Sequence, residues 1–384
     1  MLRTLSAWLV ISIPALLLAE APEKAEGKKM WVYIGTYTGK NSKGIYRCDF
    51  DLNSGKLSEP ELVAETTSPS FLAISPDKKY LYAVGEISEF KKQKTGSVSA
   101  FSIDEKTGKL TFLNAQGSGG AGPCHVSVDK TGKTVLVANY GSGSCASLPV
   151  EADGKLHEAA SVFQHKGTSV DKGRQEGPHA HSINTSPDGK FAFCADLGLD
   201  EILIYKLDAS KGSMTPNDPP FAKVEGGSGP RHFAFHPSGK FAYTNGEMTS
   251  TVISMTYDAE KGMLNPFQII SSLPEATKGN STAEVVVHPS GKFLYCSNRG
   301  HNSIAIYSID EKTGSLKALG HQGEGIKVPR NFNIDPTGKF LLVGNEAGNS
   351  VIVFEIDQKT GGLKSTGSKV EVGAPVCIKF YIPK

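Results

Sequence analysis

One turn phrase recurs along this chain and constrains its fold more than any other feature. It reads "SPDKKY" from Ser75, "DKTGKT" from Asp129, "SPDGKF" from Ser186, "HPSGKF" from His236 and from His288, and "DPTGKF" from Asp335. The intervals run from 47 to 57 residues. Proline, a polar residue and glycine in sequence preset a tight reversal. Short β-rich runs flank each copy, such as "HFAFH" before and "KFAYTN" after, and two further runs follow. Four strands in each repeat of this length are the pattern of a β-propeller blade. The runs after the turn, "FLYCSN" and "FLLVGN", are nearly continuous in apolar residues, as expected of strands covered on both faces.

Seven segments read as the strand after the turn, beginning with "WVYIGTYT" at Trp31, which has no turn phrase before it. Seven read as the strand before the turn, and the last, "APVCIKFYI" at Ala374, has nothing after it. The two orphans complete each other. The chain is therefore predicted to be an all-β, seven-bladed propeller of four-stranded antiparallel blades, its ring closed when the C-terminal strand joins the N-terminal blade. Such a ring needs no partner to cover an open sheet edge, so a monomer is expected.

The N-terminus has a different character. Arg3, the apolar run Leu5 to Leu18 and the small-residue site Ala19-Glu20-Ala21 predict a secretory signal peptide over 1–21, followed by a linker over 22–29. The propeller is expected to fill 30–384 as one domain. Export to the periplasm or the extracellular space follows from that reading, with no membrane association after cleavage. Six cysteines in an exported chain could form disulfides, but Cys194 in "FAFCAD" and Cys296 in "FLYCSN" occupy the same place in two repeats, as buried apolar thiols do. No Cys-x-x-Cys occurs, so a zinc site of the usual spacing is not expected. A net charge of +2, with basic residues scattered among turns, argues against a nucleic-acid groove.

If each phrase reverses the chain, the residue five before it and the residue eleven after its start lie at the same end of the hairpin. The first set is Ser70, Cys124, His181, Arg231, Ala283 and Arg330. The second is Glu86, Tyr140, Leu197, Glu247, Arg299 and Glu346. Constant strands carrying variable polar residues at one rim describe a binding site on a scaffold. His181 and Glu247 could move a proton. Arg231, Arg299 and Arg330 offer forked donors for a carboxylate or phosphate. His179 and His181 alternate on one strand and could share a face as metal ligands, but no acidic third ligand is near in sequence, and neither metal nor cofactor is expected. His179, Arg330, Glu346 and His125 complete the expected substrate-binding set. No Gly-x-Ser-x-Gly elbow stands in a suitable fold context.

The phrases "IGTYT" at Ile34, "HAHSINTSPDGKF" at His179, "GPRHFAFHPSGKFAY" at Gly229, "NGEMTSTV" at Asn245 and "SNRGHNSI" at Ser297 resemble the propeller lactonases. These are the bacterial-type 6-phosphogluconolactonases and the related fungal carboxy-muconate lactonizing enzyme. The resemblance spans about Met30 to Lys384. It implies a small-molecule lactone substrate, a metal-free site, and the family's histidine, glutamate and two arginines at His181, Glu247, Arg231 and Arg299. In that scheme one of His181 and Glu247 activates water and the other returns a proton. The implied reaction is hydrolysis of a sugar δ-lactone, nominally 6-phospho-D-glucono-1,5-lactone. The alternatives are a muconate-type cycloisomerase and a non-catalytic exported propeller. Gly246 before Glu247 departs from the family pattern, and a signal peptide puts a phosphorylated, cytosolic substrate in question.

Overall fold

The computed structural model describes residues 29–383, so the expected signal peptide and nearly all of the linker lie outside the described residues. Seven antiparallel sheets form the ring. Six are four-stranded and run consecutively along the chain. We number the blades from the composite one, in which the C-terminal strand Pro375–Tyr381 pairs with Lys29–Thr36, followed by Gly44–Asp51 and two short outer strands. Blades 2 to 7 then begin at the inner strands Leu72–Ile74, Pro123–Val128, Ala180–Thr185, Pro230–Phe235, Ser281–Val287 and Pro329–Ile334. The expected closure by the C-terminal strand is therefore observed. Trp31 pairs with Tyr381 across it, and their rings stack at 5.0 Å.

The second strand of each blade is almost wholly buried, as its continuous apolar run requires. Every residue of Thr134–Asn139, Phe191–Asp196, Phe241–Gly246 and Phe340–Asn345 is buried. Outer strands alternate, as in Ser161–Gln164. The apolar side chains pack between blades: Tyr295, Ile304 and Ile306 of blade 6 meet Phe332, Val343, Ile352 and Phe354 of blade 7.

The recurring "GKFxY" has a specific use. In blade 6 the Phe293 ring comes within 2.6 Å of where a Cβ on Gly361 would sit, and the Tyr295 hydroxyl donates to the Gly361 carbonyl at 2.8 Å. Blade 5 repeats this with Phe241 and Tyr243 on Gly314 of blade 6. Both glycines stand at φ +73, in the outer turn of the next blade, where any side chain would be strained as well as crowded. His236 and His288, in the turn phrases, donate from Nε2 to the carbonyls of Gly291 and Gly338 one blade on, at 2.9 and 2.8 Å. Repeat residues on the two hairpins thus join blades 5 and 6 to their successors.

A second regularity lies at the inner strands. In six of the seven blades the pairing with the second strand skips one or two residues near the start of the inner strand: Cys124, His181, Arg231 with His232, Ala283 with Glu284, Arg330 and Val376. An extra residue on one strand breaks the ladder and re-aims its side chain. Just ahead of several of these bulges the chain takes a left-handed turn before proline. It does so at Gly122, Gly229, Val328 and Ala374. Val328, with φ 52, is β-branched in a region that suits glycine.

Two stability outcomes follow. Tyr295→Phe removes one inter-blade hydrogen bond and should lower the unfolding free energy by about 1 kcal/mol in urea titration. Val328→Gly removes a left-handed strain of about 1–2 kcal/mol. It should leave stability within about 1 kcal/mol of wild type despite losing a side chain, whereas Val343→Gly, inside a strand core, should be strongly destabilising.

Candidate functional site

The bulged inner-strand residues and the ends of the second strands converge at one end of the ring. They line a cleft of about 290 Å³ whose walls are Glu86, Cys124, Tyr140, Arg174, His181, Glu247, Arg299 and Arg330. A somewhat larger hollow, about 360 Å³, lies among outer-strand residues of blade 1 such as Phe50, Asn53 and Lys56, and gathers no comparable set of charges.

Glu247 is the hub. It is buried, and three arginines reach it. Arg174 donates from Nη2 to Oε1 at 2.9 Å, while Arg231 Nε and Arg299 Nη2 lie 2.8 and 3.1 Å from Oε2. Arg231 is 2% exposed, too deep to remain charged without such a partner. The Arg231 and Arg299 guanidinium groups are also tied to the inner strand of blade 6, donating to the carbonyls of Ala283 and Thr282. Neither buried Nε–H is aligned on an acceptor. Burial pushes the Glu247 carboxyl up, but Arg231, Arg299 and Arg174 outweigh it and hold it at about 2.

His181 is buried and neutral, held well below the ordinary imidazole range by burial and by Arg231 and His232. Its Nδ1 lies 3.6 Å from the Cys124 sulfur and its ring meets Tyr140 edge-on at 5.3 Å. On the opposite wall Glu86 accepts from the Ser70 hydroxyl and, at 3.3 Å, from the Tyr37 hydroxyl. Burial raises its carboxyl despite those hydrogen bonds and Arg330. Arg330 lies over the Tyr37 ring at 5.3 Å.

Below the mouth the axis is closed. His232 meets His181, His125 and Phe71 at ring separations of 5.5, 5.5 and 5.6 Å, and Phe71 lies 4.2 Å from His125. His232 Nδ1 is 2.7 Å from Glu284, which also accepts from Asn331. Glu284 is raised to about 7, chiefly by burial. Beyond this plug lies a separate hollow of about 340 Å³, lined by His125, Asn184, Asn333 and Lys379 among others.

The structure brings His181, Arg231, Glu247, Arg299 and Arg330 together. Four expectations need correction. His125 does not face the mouth: Cys124 takes the bulge, and the next residue points deeper, into the plug and the opposite hollow. His179 lies on the far side of Tyr140, stacked on it at 4.5 Å with Nδ1 3.1 Å from the Tyr140 carbonyl, so it and His181 flank one ring and do not converge on a metal. Glu247 reaches its arginines in spite of the extra glycine before it, but a carboxyl held at about 2 cannot return a proton near neutral pH. Glu346 stands outside the cleft wall, 3.9 Å from Arg330.

Sequence reasoning left Arg174 out entirely. It is carried by the connection between Ser161–Gln164 and Ala180–Thr185, and its one signal is a charged "GRQEG" in an unusually long link. Glu86, Tyr140 and Cys124 stood in the rim sets but were not named as site residues. Tyr37 lay within "IGTYT".

The fold, a closed ring of seven antiparallel blades, is that of a lactonase-type propeller. The family model described as "Lactonase, 7-bladed beta-propeller" matches residues 31–380, and the chain belongs to that family. A 6-phosphogluconolactonase of Bacillus subtilis is 38% identical over 350 residues, covering 91% of this chain and 97% of the relative. One of Formosa agariphila is 37% identical over 309 residues, covering 79% and 86%. The solved structure of a periplasmic gluconolactonase of Pseudomonas aeruginosa superposes with a TM-score of 0.86 at 31% identity, covering 93% of this chain and 100% of that one.

Removing the hub charge leaves three guanidinium groups facing one another. Glu247→Gln should therefore cost on the order of 3 kcal/mol of stability, read by urea titration, and the loss should shrink when Arg299→Ala is added.

Proposed function

We propose that this protein is a lactone hydrolase that opens a sugar δ-lactone, nominally 6-phospho-D-glucono-1,5-lactone, to the free acid. The observation that carries this reading is the composition of one cleft: four arginines against two carboxylates, beside a neutral histidine. An excess of guanidinium suits an anionic substrate and an oxyanion forming in place.

Hydrolysis needs water to attack the ring carbonyl, negative charge to collect on its oxygen, and the ring oxygen to leave with a proton. His181 takes the proton from water, since it is uncharged at neutral pH. Arg231 and Arg299 face the developing oxyanion. Arg330 and Arg174 hold the substrate's anionic group. The protonated His181 then delivers that proton to the leaving ring oxygen, which restores the neutral base. Glu247 keeps the arginines charged and in place. The lactone and one water become one hydroxy acid, with no covalent intermediate.

A second reading, an exported enzyme for an unphosphorylated sugar lactone, is favoured by the signal-like N-terminus and by likeness to a protein described as a periplasmic gluconolactonase. In either reading the chain acts as a monomer. Ring opening followed by acid release, on 6-phosphogluconolactone and gluconolactone side by side, separates the two. His181→Ala should lower kcat by about 10²–10⁴-fold and Arg299→Ala by about 10²–10³-fold. Unchanged turnover in both would remove them from the mechanism. Protonation of His181 abolishes the base, so on the acid side kcat/KM should hold until well below pH 6.5.

A further inference from the structure

A second buried polar cluster lies outside the cleft, between blades 3 and 4. Cys145 is in the strand Ser144–Pro149, Cys194 in Phe191–Asp196, and His165 directly follows Ser161–Gln164. The two sulfurs and one His165 ring nitrogen all lie within 4.8 Å of one another, and all three residues are buried. Asp196 is 2.6 Å from His165 Nδ1, which places the proton there and leaves Nε2 to ligate. The Tyr205 hydroxyl is 3.0 Å from Nε2. Leu136, Ala138, Ile183 and Met214 enclose the group.

We propose that Cys145, Cys194 and His165 bind one thiophilic d¹⁰ metal ion, Zn²⁺ or Cu⁺. Two thiolates and an imidazole form a soft donor set of the kind these ions select. Metal–sulfur bonds of about 2.3 Å in tetrahedral geometry put two sulfurs about 3.8 Å apart, inside the span already observed, so side-chain rotation is enough to close the site.

Two features set this cluster apart from ordinary buried cysteines. Metal-ligating histidines commonly hand their other nitrogen to a carboxylate, and Asp196 fills that role while being fixed by the backbone N–H groups of His179 and Gly198 at 2.7 and 3.0 Å. Asn139 and Asn345 end the corresponding strands of blades 3 and 7, so the carboxylate replaces an amide in the blade that His165 faces. The cluster also sits at both ends of the link carrying Arg174: His165 opens it, and Asp196 holds His179 at its close. The metal would therefore be structural, bracing the segment that delivers Arg174 to Glu247.

The test uses full-length protein kept reduced, loaded with Zn²⁺, or with Cu⁺ without oxygen, and dialysed into metal-free buffer. Elemental analysis should find one ion per chain, and the arm that retains it identifies the metal. Co²⁺ in the same site should give thiolate-to-cobalt charge-transfer absorption in the near ultraviolet. Asp196→Asn should weaken retention by about 10–100-fold. Cys194→Ser and His165→Gln should abolish it, and Cys296→Ser should not. If Cys194→Ser fails to fold, the cobalt spectrum of wild type and of His165→Gln decides. No ion on reduced wild type, equal retention by the Cys145→Ser/Cys194→Ser double variant, or a Cys145–Cys194 disulfide in never-reduced protein would overturn the proposal.

Discussion

The register slip near the start of the inner strands is the constraint on which the rest depends. A regular strand sends alternate side chains to its two faces, and in a propeller both faces are covered by neighbouring blades. A polar residue there would be buried without partners. The bulge frees one or two residues per blade from that alternation and turns them toward the axis. Cys124, His181, Arg231 and Arg330 reach the cleft by this one device, repeated at equivalent places in blades that otherwise share their core. The scaffold is uniform because its inter-blade joints are uniform, and the chemistry varies because it is placed where the ladder is interrupted.

Much of the fold was legible because the repeat is written in residues with narrow conformational uses. A turn glycine, the phenylalanine that covers the next blade's glycine and the tyrosine that bonds its carbonyl recur at fixed offsets, and the unpaired first and last strands announced the closure. The positions of the rim residues were legible for the same reason: counting from a rigid turn locates the strand ends. Depth was not. His125 is adjacent in sequence to a cleft residue, yet a bulge of one residue sends it into the plug. His179 shows the same failure, since alternation on an extended strand ignores the ring of Tyr140 standing between it and His181.

The roles of the charges were also hidden, because they depend on neighbours from several blades. Glu247 is an ordinary carboxylate in sequence, and only the convergence of Arg174, Arg231 and Arg299 makes it a fixed anion. Glu86 has the opposite fate: burial outweighs its two hydroxyl donors and Arg330 and leaves it easier to protonate. Arg174 had no repeat position from which to be counted. The Cys145, His165 and Cys194 grouping was invisible for a related reason, since its members come from separate strands and no local spacing connects them.

The packed rings of Phe71, His125 and His232 give the site a single doorway. A propeller could offer a through-passage, but here whatever enters at the arginine-lined mouth must back out the same way. Opening a lactone adds a carboxylate, so in the mechanism we propose the departing molecule is more negative than the arriving one and grips the guanidinium groups harder. In that scheme the ionised Glu247 among those groups competes for the same donors, and so helps to loosen the spent acid before the next ring can be admitted.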